Sequence, residues 1–108
     1  MLVKIEMLAF LTSKRFRLVG IPLPAEEAKK TPLLKVLELV FKYGQNHIQS
    51  RTDCYSTSVG DVIDLFGEYY VVAGCGFKQI SSKELREYKK LKVEERYWKY
   101  VDSEDFVK

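Results

Sequence analysis

Cysteine and histidine are scarce in this chain: two cysteines, Cys54 and Cys75, and a single histidine, His47. A structural zinc site takes four cysteine or histidine ligands, so no metal centre is expected and no cofactor motif stands out. Two thiols also make no disulfide framework. They fit a cytoplasmic protein with reduced cysteines, a Cys54–Cys75 bridge being the alternative. Long apolar runs are missing as well. No stretch approaches the ~20 apolar residues of a membrane span, and charges interrupt the N-terminal "MLVKIEMLAFLTSKRFR" where a secretory signal needs continuity. Charge of one sign is not in excess either. The formal net charge of +3 permits an acidic partner without demanding one.

What is present is ordinary globular material. With 46% hydrophobic and 13% aromatic residues over 108 positions, the sequence predicts one domain, residues 1–108, that folds without staples. Residues 2–11, "LVKIEMLAFL", start with period-two alternation: Val3, Ile5 and Met7 point one way, Lys4 and Glu6 the other. "KRFRLVGIP" alternates again, Phe16 and Leu18 against Arg15 and Arg17, so the N-terminus reads as a hairpin turning at "TSK". Pro22 and Pro24 end its second strand.

After the charged connector "AEEAKK" comes the clearest helix, residues 32–43. Thr31 suits its N-cap, Pro32 its first position and Gly44 its end. Leu33, Leu37, Val40, Phe41 and Gly44 share one face; Lys35, Glu38 and Lys42 share the other. "QNHIQSRTDCYSTS" is a polar loop, long for a compact domain. "DVIDLF", "YYVVA" and "FKQI" then read as three antiparallel strands. Gly67-Glu68 forms a type II′ turn and Gly74-Cys75-Gly76 a bend. Apolar residues on both faces of "YYVV" predict an inner strand covered on each side. Ser81 and Glu84 make a capping box that opens a helix to about Leu91, followed by a strand or second helix.

The residues Ser58, Val59, Asp61, Val62, Ile63 and Leu65, then Tyr70, Val71, Gly76, Phe77 and Ile80, form a pattern. With the helix and loop before it, over about residues 36–80, this pattern resembles the YodL-like domains of phages, plasmids and conjugative elements. The resemblance implies a virus or mobile-element setting. It carries no activity and no catalytic residue.

Candidate chemistry meets a plainer explanation at most positions. His47, Asp53 and Cys54 could combine a nucleophile with its base, but polar loop residues of these types are usually solvated. Cys75 lies between two glycines, where a ligand could approach, although free cysteine commonly packs as a small hydrophobe. Asp61, Asp64 and Glu68 are sparse acids around a hairpin, and Asp61 after Gly60 suits the satisfaction of turn backbone groups.

The basic and aromatic residues point further. Arg15, Arg17, Lys83, Arg86, Lys89 and Lys90, with Trp98, could track phosphates and stack bases of DNA or RNA. Glutamates 84, 87, 94 and 95 share the segment, as on a solvated helix. The expectation is therefore an α+β domain: an antiparallel sheet of about five strands, one main helix and a second C-terminal helix, in two layers, with a partly closed barrel as the alternative. Its expected role is nucleic-acid binding. The alternative is a protein-interaction module that inhibits a host protein or self-associates as a homodimer through aromatics near Tyr97 to Tyr100. An enzyme is the least supported reading.

Overall fold

The computed structural model describes residues 1–10, 15–100 and 105–108. Five strands form one antiparallel sheet: β1 (Leu2–Glu6), β2 (Phe16–Gly20), β3 (Val62–Leu65), β4 (Glu68–Ala73) and β5 (Gly76–Ile80), in the order β2-β1-β3-β4-β5. Helices α1 (Ala25–Ala28) and α2 (Leu33–Tyr43) lie on one face, α3 (Ser82–Lys89) and α4 (Val93–Tyr100) on the other. The class is α+β, as the patterning predicts, but with three layers instead of two. The "YYVV" signal explains the third layer. Tyr70 and Val72 enter the α2 core while Val71 enters the α3 core, and β4 is an inner strand between β3 and β5.

The α2 core joins Val3, Ile5 and Met7 to Val36, Leu37 and Val40. Burying each such side chain contributes roughly 1.5–3 kcal/mol, so this cluster dominates the fold's stability. The second core is smaller: Val62, Val71 and Ile80 under Leu85, Tyr88 and Tyr100. Ser81 accepts from the Glu84 amide while Glu84 accepts from the Ser81 amide, which sets where α3 begins.

Several local expectations are corrected. Thr31 does not cap α2: its hydroxyl donates to the Glu27 carbonyl in the preceding turn, and Pro32 holds the N-cap position. Gly44 does end α2, yet its φ of −78° is one any residue adopts. A glycine is needed because a Cβ there would overlap the Thr57 hydroxyl. The β3–β4 turn is Phe66-Gly67, with φ of 52° and 78°, because Leu65 pairs with Glu68. Positive φ at both central residues makes it type I′, the turn whose twist matches the strands. The expected "TSK" turn falls outside the described residues.

β2 runs in the opposite phase from the one expected. Val3 opposes Val19 and Ile5 opposes Arg17, so Arg17 and Val19 face the core while Phe16 and Leu18 face solvent. Phe16 and Leu18 in the strand, and Val19 with Ile21 just beyond it, are apolar pairs of alternate phase, and contact with α2 selects between them.

The sheet's two edges are treated differently. Along β5 the C-terminal segment lies against the strand: the Val107 amide donates to the Phe77 carbonyl at 2.8 Å, and Phe106 packs on Gly76. On β2 the Gln49 side chain accepts from the Gly20 amide and donates to its carbonyl, occupying one position of that edge.

Candidate functional site

Asp61 organises the region where the long loop returns to the sheet. Its carboxylate is fully buried and accepts from the amides of Leu8, Ala9 and Ser58, each at 2.9 Å, and from the Tyr55 hydroxyl at 3.0 Å. The segment after β1 and the end of the long loop are thereby tied to one side chain. Burial pushes the carboxyl up to about 6, against the downward pull of its hydrogen bonds to Ser58, Ala9, Tyr55 and Leu8. Burial, then the neighbouring Asp61 charge, raises the Tyr55 phenol.

The next turn is held from the other side. Gly60, at φ 103°, passes so near Ala9 that a Cβ would sit 3.3 Å from its Cα. The Tyr88 hydroxyl of α3 donates to the Gly60 carbonyl at 2.7 Å. Arg96 of α4 donates to the carbonyls of Leu8 and Lys89 at 3.0 and 2.8 Å, so the Leu8 peptide is gripped at both its N–H and its C=O.

Against this knot lies an apolar cleft of about 620 Å³. Its walls come from distant segments: Phe10 after β1, Phe41 near the end of α2, Val59 in the turn, and Val93, Tyr97 and Trp98 on α4. Ala9 and Ser58, whose amides serve Asp61, form part of the lining. Trp98 is 69% exposed and Phe10 54%. Both are held by edge-to-face ring contacts, Trp98 on Tyr97 at 4.8 Å and Phe10 on Tyr55 at 5.0 Å. A smaller depression beside Val72 and Phe77, about 300 Å³, shares Phe41 and Val59 with the cleft, so the two adjoin along one groove-like face.

Two of the expected phosphate-binding residues are engaged within the fold. Arg17 is 1% exposed and cannot reach a polyanion. Its guanidinium donates to Asn46 Oδ1 at 2.7 Å, to the Gln49 carbonyl at 3.0 Å and to the Tyr55 carbonyl at 3.2 Å. Burial lowers its pKa from the ordinary value. Lys89 is exposed but pairs with Glu6 at 3.0 Å. Arg15 is exposed beside β2, and Lys83, Arg86 and Lys90 are exposed on or just after α3. These four make no ion pair among the described residues. Trp98 belongs to the cleft. Tyr100, expected among exposed aromatics, is buried against Tyr88 with ring centroids 5.6 Å apart.

The other candidates are accounted for structurally. Asp53 is bound by Arg51 through two hydrogen bonds of 2.9 and 3.0 Å, and no hydrogen bond among the described residues joins His47 to Cys54. Cys54 is half-buried and Cys75 exposed, both as free thiols. Asp64 stands opposite Lys4, and Glu68 accepts from Gln79. No cluster of metal-ligating side chains occurs among the described residues, and no helix among them is long and apolar enough to cross a membrane.

Sequence reasoning had singled out Trp98, and had read Asp61 as a satisfier of turn amides. It missed Phe10, Phe41, Val59 and Val93 as cleft residues. Each is an ordinary apolar residue, and no spacing signals that four remote segments meet.

Fold and site together define a class, a small α+β protein with an aromatic-walled cleft beside a buried polar knot. No protein family, curated protein or solved structure matches the chain.

Proposed function

We propose that this protein is an interaction module that seats an apolar segment of another protein in the groove between α4 and the 56–60 turn. The observation that carries this reading is the cleft itself: about 620 Å³, walled by six apolar or aromatic side chains from four segments. A volume of that order is typical of ligand sites, and exposed aromatics in a concavity are the usual anchors of recognition. The Asp61 knot supports the reading too, since it fixes the peptides of Leu8, Ala9 and Ser58 before any partner arrives. A mobile-element setting, expected from the YodL-like pattern, suits a small module of this kind.

Nucleic-acid binding is the second reading, favoured by Lys83, Arg86 and Lys90, which are exposed and make no ion pair among the described residues. It ranks lower because Arg17 is buried and Lys89 is engaged.

Selection of short displayed peptides separates the two. The expected result is enrichment of apolar sequences whose binding moves the fluorescence of Trp98, the chain's single tryptophan, to the blue and is lost in Trp98→Ala. Binding of a single-stranded oligonucleotide that weakens steeply with salt, with peptides leaving Trp98 unmoved, would overturn the reading.

A further inference from the structure

The groove's charge goes against that of the chain. Lysine and arginine outnumber aspartate and glutamate by 18 to 15, yet each of the two joined depressions is lined by one charged residue, and both are acids. Glu94 on α4 borders the aromatic cleft, and Glu38 on α2 borders the depression beside Phe77. Both carboxylates are exposed, and neither has a cationic partner among the described residues. Three nearby cations are directed elsewhere. Arg96 binds the carbonyls of Leu8 and Lys89, Lys42 lies over the Tyr43 ring at 5.8 Å, and Lys99 lies over the Tyr100 ring at 6.0 Å.

An apolar floor with unpaired acids on its borders complements one kind of occupant. We infer that the partner segment is basic and amphipathic, its apolar side chains on Phe41, Val59 and Trp98 and its lysines or arginines beside Glu38 and Glu94. The inference rests on the groove being a protein-binding site and adds the chemistry of its partner. Apolar contact supplies most of the affinity and the two acids supply the choice of partner, since charges at an exposed rim contribute specificity more than strength. The Tyr97–Trp98 pair gives a further reason for a cation, because the face of an indole attracts an ammonium or guanidinium group.

The test uses the intact chain, Trp98 fluorescence and two synthetic amphipathic peptides of identical leucine pattern, one filled out with lysine and one with glutamate. The lysine peptide is expected to bind roughly tenfold more tightly, an advantage that shrinks as salt rises. The preference is diagnostic, because the chain's overall positive charge would favour the glutamate peptide. Glu38→Lys/Glu94→Lys should abolish or invert the preference while leaving folding intact, both positions being exposed.

Equal binding of both peptides, or a preference that survives the double reversal, would overturn the basic-partner inference and leave the groove's protein-binding role standing. Loss of the Trp98 shift with every peptide would overturn both. A shift that grows with protein concentration in the absence of peptide would mean that the occupant is a second copy, and would overturn the inference as well.

Discussion

Two buried charges of opposite sign lie near the ends of the long loop, and they are satisfied in different ways. Asp61 and Arg17 do not pair with each other, although Tyr55 touches both, its hydroxyl on Asp61 and its carbonyl on Arg17. Asp61 collects four donors and leaves no oxygen idle. Arg17 donates three hydrogen bonds to loop acceptors, and its buried Nε has no partner among the described residues. The carboxylate ties the loop's end to the segment after β1, whereas the guanidinium fastens the loop's body to β2. The difference teaches that this loop, though polar and without period, is ordered by charges buried at the sheet.

The comparison can be broken most severely at Asp61. Asp61→Ala strands three amides and a hydroxyl in the interior and should cost about 4 kcal/mol, read as a lower urea midpoint. Arg17→Met keeps the stem's volume and strands fewer groups, so its cost should be smaller, about 2 kcal/mol. An equal or reversed ranking would show that the loop attachment is the stronger of the two.

Titration sharpens the contrast. The Asp61 carboxyl is raised in the fold from 3.8 to about 6, so the folded state holds its proton more tightly than the unfolded chain. Its contribution is therefore complete below about pH 4 and is lost as the pH rises through about 6. The stability margin of the native chain over Asp61→Asn should shrink on going from pH 4 to pH 7, by on the order of 2 kcal/mol. Arg17→Met should show no such slope. The smallest expected effect is on Tyr55→Phe, about 1 kcal/mol, since it removes one of Asp61's four donors and leaves the Tyr55 carbonyl for Arg17.

The legible parts of the molecule were those with local causes. The period of Val3, Ile5 and Met7, the run of α2 and the Ser81–Glu84 box each arise within a few residues, and each holds in the structure. The inner position of β4 was legible because Tyr70 and Val71 are apolar on opposite faces. β2 was misread because Phe16 and Leu18 form one apolar phase while Val19 and Ile21 form the other, and the choice depends on an α2 contact and on loop carbonyls some thirty residues away. Thr31 was misread because its hydroxyl has two backbone targets, and the Glu27 carbonyl took it.

From sequence alone come the class, the strand meander, the main helix and the role of Asp61 in a turn, because hydrophobic period, capping and turn chemistry act between near neighbours. Only the tertiary structure decided that Arg17 points inward, that α3 and α4 make a third layer, and that Phe10, Phe41, Val59 and Trp98 wall one cleft. Those outcomes depend on contacts between segments far apart in the chain, and burial is won or lost only when the segments meet.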